Sequence, residues 1–216
     1  MSNPYLSLNI FFTTQQQETF IKYNHEAEDG SLVTRIFSPM WQWAARQVPS
    51  YVAPNVLNIA GLLCLLQAFY LCFMYIDEMP RTVSLLSLLL VLAYHNLDRV
   101  SGKHARIIGN DSPLGEMFQY SCSNVGIVFT SLTLCYVMGV RSLPSLWYAV
   151  QIAQLLCMRE HVNAFKRGFV RIHLLGGEGE AIWVIALVVV LRVAFGLEPF
   201  NLVIGKWPLF YLLKRK

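Results

Sequence analysis

Apolar residues fall in long runs along this chain, broken at near-regular intervals by short polar clusters. Runs near membrane-spanning length, about 17–25 residues, occupy residues 55–76, 82–97, 117–138, 143–163 and 181–196. The 82–97 run is short and is expected to continue as a helix into the segment that follows. A sixth candidate, 197–213, carries Glu198, Pro199, Lys206 and Pro208, so spanning, re-entry and an interfacial position all stay open. The pattern predicts an all-α polytopic membrane protein, a bundle of five or six transmembrane helices.

Ahead of the first run, residues 31–48 put Leu32, Ile36, Met40 and Trp43 near one helical face, with Arg35, Gln42 and Arg46 elsewhere. Pro39 interrupts this stretch, giving one kinked helix or two short ones. Two Trp residues beside a span read as an interfacial helix, or as a helix lying flat on the bundle. Pro54 suits the first turn of the first span, and Tyr51 is placed to anchor at headgroup level. Residues 1–50 thus form a tail plus an amphipathic segment, and 51–216 form one transmembrane domain.

Composition agrees: 216 residues, 55% hydrophobic and 14% charged, with mean hydropathy +0.45. A soluble domain is excluded. With five spans, the loops sort the basic residues. One side collects Lys22, Arg35, Arg46, Arg99, Lys103, Arg106, Lys166, Arg167 and Arg171, the other only Arg81 and Arg141. That is a strong positive-inside bias. The net charge of +4 therefore forms a collar suited to anionic lipid or phosphate. No secretory signal is expected in residues 1–30. The five cysteines sit in apolar segments without a C-x-x-C pair, as small core residues do. Arg159-Glu160-His161 and Arg192 fall inside spans, where ionisable groups usually face the bundle interior or a partner. Arg192 lies near the end of its span and is expected to snorkel.

The stretch Asp98–Asn124 reads DRVSGKHARIIGNDSPLGEMFQYSCSN. It resembles the signature of the CDP-alcohol phosphotransferases, D-x2-D-G-x2-A-R-x8-G-x3-D-x3-D. The frame is kept at Asp98, Gly102, Ala105, Arg106 and Gly115. The other three acid positions hold Ser101, Gln119 and Ser123. KYNHEAEDGSL followed by PSYVAPN is similar to the N-terminal region of the eukaryotic choline- and ethanolaminephosphotransferases. The resemblance covers about residues 22–125, with a weaker match at Gly177-Glu178-Gly179-Glu180-Ala181 and at Glu160, from which Arg159 departs. It implies a fold like the core of that family.

In the family, two acids end one helix and two begin the next, and they converge on two divalent cations that neutralise a CDP-alcohol diphosphate. Hard cations need carboxylate oxygens. Asp98 alone leaves most of the charge of two such ions uncompensated at a site where buried charge is costly. The resemblance therefore implies a lost Mg²⁺ or Mn²⁺ site, no catalytic residue and no cofactor. Glu116 shares a face with Gln119 and Ser123, but the similar enzymes often carry Glu there already. Ser123 lacks a nucleophile's partners. What stays is basic. Arg99, Lys103, His104 and Arg106, placed on the loop after the helix, together with Asn55, are the expected lipid or phosphate ligands.

The resulting expectation is a catalytically inactive relative that binds anionic phospholipid as a structural subunit of a larger membrane complex, with other membrane subunits and no nucleic acid as partners. A mitochondrial inner-membrane energy-transducing assembly would suit such a subunit. The competing readings are an active phosphotransferase with an altered metal site, at the endoplasmic reticulum, and a stand-alone regulator of lipid metabolism.

Overall fold

The computed structural model describes residues 13, 27–29, 31–167, 170–172 and 178–196. The sixth candidate segment, the terminal Lys214-Arg215-Lys216 and most of the N-terminal tail lie outside them. The element order is β1 (Ala27–Asp29), α1 (Leu32–Gln47), α2 (Pro54–Tyr75), α3 (Pro80–Ile107), α4 (Pro113–Val137), α5 (Leu143–Arg167), β2 (Val170–Ile172) and α6 (Glu178–Phe195).

Proline opens α2, α3 and α4 in their first turns, where its missing N–H costs nothing. Gly109 and Gly139 follow α3 and α4 with φ of +66° and +77°, the left-handed step that ends a helix cheaply. Among the described residues, three helices are long and apolar enough to cross a membrane: α2, α3 and α4, with mean hydropathy 2.1, 1.3 and 1.2 over their most apolar stretches. Helices α5 and α6 stand where the fourth and fifth spans were predicted. Helix α5 is more polar, through Gln151, Gln154, Arg159 and Glu160, whereas α6 is as apolar as α2 along most of its length but carries three charged residues, Glu178, Glu180 and Arg192, among its 18. Pro39 does not divide α1, which runs as one helix.

Helix α3 is the axis of the bundle. Half of its most apolar stretch is buried, against 28% for α2 and α4, and it contributes to all three core clusters. At one end Val83 and Leu88 pack with Cys72, Ile76, Val137, Ala186 and Val189. In the middle Val91 and Tyr94 meet Leu65 and Ala68. At the other end Val100 lies under Val33, Trp41 and Ala45 of α1. Two glycines make room for Tyr94. A Cβ on Gly61 of α2 would stand 3.3 Å from its ring, and one on Gly126 of α4 would stand 2.6 Å from its Cζ.

One end of the bundle collects the start of α2, the α3–α4 turn and the start of α6, and it carries Arg99, Lys103 and Arg106 of the basic collar. There β1 and β2 pair in parallel, with Ala27, Glu28 and Asp29 opposite Val170, Arg171 and Ile172. This ladder was not anticipated. It joins segments about 143 residues apart, and no local alternation of three residues announces such a pairing. The opposite end carries Arg81, Arg141 and Arg192. Arg141 bonds Asp77 at 3.0 Å and covers the Tyr136 ring at 4.4 Å. Arg192 does not snorkel. It is 6% exposed and turns inward, its Nε donating to the Val137 carbonyl at 2.8 Å and its Nη1 to the Pro80 carbonyl at 3.2 Å. The Val137 carbonyl, freed at the end of α4, and the Pro80 carbonyl, which also accepts from Ser84 Oγ at 2.6 Å, give it better partners than a lipid interface. Arg159 and Glu160 are exposed rather than interior.

Candidate functional site

The signature positions occupy two facing helix ends. Asp98, Ser101, Gly102, Ala105 and Arg106 lie in the last turns of α3, and Gly115, Gln119 and Ser123 in the first turns of α4. The basic residues are thus helical, not on a loop, because α3 continues to Ile107 and its last carbonyls are capped from Ile108 and Gly109. Ser112 caps α4 by accepting from the Gly115 N–H at 3.2 Å. A Cβ on Gly115 would crowd that hydroxyl at 3.2 Å.

Asp98 is 8% exposed. The Gln119 amide reaches it from α4, its Nε2 donating to Oδ1 at 3.3 Å and to the Asp98 carbonyl at 3.4 Å. Ser101 is buried and donates to the same carbonyl at 2.8 Å. Ser123 is buried one turn beyond Gln119. A Cβ on Gly102 would meet the Gln119 amide at 3.6 Å. The structure therefore brings together Asp98, Ser101, Gly102 and Gln119. Glu116 turns along its own helix and accepts from Tyr120 at 3.1 Å. Hydroxyls and an amide donor around one carboxylate do not fit a pair of divalent cations, which need several anionic oxygens.

Arg99, Lys103 and Arg106 recur at i, i+4 and i+7, along one face of α3. Arg99 is half-buried and Arg106 exposed. Lys103 donates through Nζ to Ser38 of α1 at 2.9 Å. Asn55 is half-buried in the first turn of α2. His104 has a different place from the one expected of a ligand. It is fully buried, its Nδ1 lies 3.3 Å from the Ala45 carbonyl and its Nε2 3.0 Å from the Val52 carbonyl. It pins the α1–α2 connection to α3, and both ring nitrogens are engaged there.

Sequence reasoning missed the ties that seat α1 over this end. Trp41 donates through Nε1 to Asn96 at 2.7 Å and sets its edge against the His95 ring. Ser31, the N-cap of α1, donates to Glu180 at 2.6 Å. Burial alone would raise the Glu180 carboxyl; the Ser31 bond and the N–H groups opening α1 outweigh it and hold it below its ordinary value. The residue types carried the only signal. A Trp and a Ser on the inner face of an amphipathic helix need polar partners somewhere.

No family model matches the chain. Curated relatives do. Cholinephosphotransferase 1 of Xenopus laevis is 30% identical over 145 residues, 65% of this chain and 36% of the relative. Cholinephosphotransferase 1 of Danio rerio is 33% identical over 109 residues, 49% of this chain and 28% of the relative. An uncharacterized CDP-alcohol phosphatidyltransferase class-I family protein 3 of Dictyostelium discoideum is 24% identical over 198 residues, 88% of this chain and 49% of the relative. The chain spans less than half the length of each of these. With the signature frame kept across α3 and α4 and these relatives beside it, this integral membrane chain belongs to the CDP-alcohol phosphotransferase family.

Proposed function

We propose that the chain is a catalytically inactive member of its family that holds an anionic phospholipid headgroup at the basic end of the bundle, as an accessory subunit of a larger membrane assembly. The observation that carries the inactivity is the Gln119–Asp98 contact. Where the signature calls for a second helix's acid to share a cation, a neutral amide donates to the remaining carboxylate. Relatives named for choline phosphotransfer supply the substrate class to test. Purified chain is assayed with CDP-choline or CDP-ethanolamine, diacylglycerol and Mg²⁺ or Mn²⁺. No turnover is expected. Turnover abolished by Asp98→Asn overturns the reading in favour of an active enzyme with an altered metal site.

Lipid binding follows from the face formed by Arg99, Lys103 and Arg106. Three cations beside a membrane surface attract a headgroup phosphate, each worth about 1 kcal/mol, and Lys103 reaches it by leaving Ser38. Native mass spectrometry should show an anionic phospholipid retained by the chain and released from the triple Ala variant. Equal retention removes the proposed site. The subunit role rests on α5, which packs chiefly against α4 and leaves Trp147, Ile152, Leu155, Leu156 and Phe165 exposed. Lipid covers such a face as readily as protein does. A mild-detergent extract of the native membrane decides: stoichiometric companions are expected, and a lone chain favours a free-standing lipid regulator. A membrane rich in anionic lipid, such as the mitochondrial inner membrane, is the setting that fits. Fractionation of cells to the endoplasmic reticulum counts against it.

A further inference from the structure

Helices α3 and α4 carry hydroxyls into the apolar interior at the end away from the signature. Ser84 and Ser87 recur at i and i+3 on α3, and Thr130 and Thr133 do so on α4, so each pair lies along one helical face. All four line one cavity, which Ile185 and Val189 of α6 roof. The cavity has about 10 Å³ of room for the centre of a water molecule, the space of a single water. Arg192, almost one turn beyond Val189, reaches the Pro80 carbonyl at the outer end of α3.

The hydrogen bonds at this cavity are incomplete in a specific way. Ser84 is fully buried and donates to the Pro80 carbonyl at 2.6 Å. Ser87 is 1% exposed, donates to the Ala68 carbonyl of α2 at 3.2 Å and lies 3.1 Å from Cys72 Sγ. A hydroxyl oxygen has two lone pairs, so both serines keep the capacity to accept. Thr133 is 4% exposed, and its Oγ1 has no hydrogen-bond partner among the described residues. A buried hydroxyl without a partner is costly, most of all where hydrocarbon rather than water surrounds the bundle.

We infer that this cavity is a binding site for one water molecule, which accepts from Thr133 and donates to Ser84 and Ser87. Three bonds are the usual complement of a buried water. A divalent cation does not suit the space, because hard cations need anionic oxygens and no carboxylate is among the lining residues. An apolar guest would exceed the room and leave Thr133 unpaired. The water completes a network that begins at Arg192. Arg192 and Ser84 share the Pro80 carbonyl, the water joins Ser84 to Thr133 and Ser87, and Ser87 reaches α2 through Ala68. Within lipid the hydrophobic effect does not drive helices together. The network therefore supplies polar ties among α2, α3, α4 and α6 at the end opposite the signature, and it stands independently of any headgroup held by the basic face.

The test is X-ray radiolytic labelling of the full chain in lipid nanodiscs, read by mass spectrometry. A water held in place is split where it sits, and the hydroxyl radical oxidises the side chains around it. Leu88 lines the cavity and is buried, whereas Leu65, also buried, does not line it. Leu88 should be oxidised several-fold faster than Leu65. Thr133→Val keeps the shape and removes the donor, so Leu88 should fall to the Leu65 rate, while Thr133→Ser should keep wild-type labelling. Equally slow oxidation of both leucines in the wild type means that the cavity is dry and that Thr133 turns back onto its own helix, which overturns the proposal. Labelling of Leu88 that survives Thr133→Val overturns it as well, since residual exposure and not a held water then explains it. The wild-type comparison stands whether or not a variant folds, and an unchanged helical circular dichroism spectrum shows that it does.

Discussion

Gln119 meets Asp98 as a donor, and the choice between donor and acid at that position has an opposite sign with and without cations. Gln119→Asp would put a second carboxylate against a buried one. Like charges at that distance disfavour ionisation, and the lost bond to a charged group adds about 1–3 kcal/mol. The variant should unfold at lower temperature in chelator and recover part of the loss in Mg²⁺; the wild type should respond to neither. A wild-type midpoint that rises with Mg²⁺ would count against the site as described. Trp41→Phe keeps the packing and removes the Nε1 bond to Asn96, so a loss of about 1 kcal/mol is expected in thermal or denaturant unfolding. At this scale the sequence marked the four signature positions and their chemistry. It could not tell that His104 faces inward or that Lys103 is held by Ser38. Both depend on where α1 docks, more than fifty residues away along the chain.

The start of α2 at Pro54 was legible, whereas the end of α3 was not, since residues set on a loop continue the helix to Ile107. Prolines opening α2, α3 and α4, and glycines closing α3 and α4, act through local backbone sterics. Packing between helices was less legible, because it depends on which faces meet. Tyr94 shows it: its ring fits only because Gly61 and Gly126 have no side chains there. Gly126→Ala should cost about 1–3 kcal/mol by overpacking. Removing the hydroxyl in Tyr94→Phe should recover part of that cost, so the double variant should be less damaged than the single costs added together. Arg192 is a second case. The sequence read its distance from the span's end as room to snorkel, whereas the carbonyls of Val137 and Pro80 capture it. Arg192→Leu leaves the Val137 carbonyl without its donor, while the Pro80 carbonyl keeps the Ser84 hydroxyl, and should lower stability by about 1–3 kcal/mol, measured by unfolding in detergent. Arg192→Lys should not restore it fully, since a point charge cannot reproduce the guanidinium fork.

Across the whole molecule, the parallel β1–β2 ladder and the Ser31–Glu180 bond close the chain on itself at the basic end. Neither was legible, because pairings between segments so far apart leave no periodic trace in either one. The Glu180 carboxyl is held below its ordinary value, so its contribution is fully present above the unfolded value of about 4.3 and disappears as pH falls through the lower folded value. Glu180→Gln should therefore be less stable than the wild type at neutral pH, with the two unfolding midpoints converging as the medium is acidified below about 4. The same bond joins residues 149 apart, and a ribosome makes them in order. At about 5–20 residues per second, roughly 7–30 s pass between the appearance of Ser31 and that of Glu180. Within that interval α2, α3 and α4 are made and delivered to the membrane, while Ser31 at the start of α1 waits for its partner. The start of α1 is thus secured later than its ties to α3, and a chain halted before residue 178 leaves the ribosome with its signature end only partly roofed.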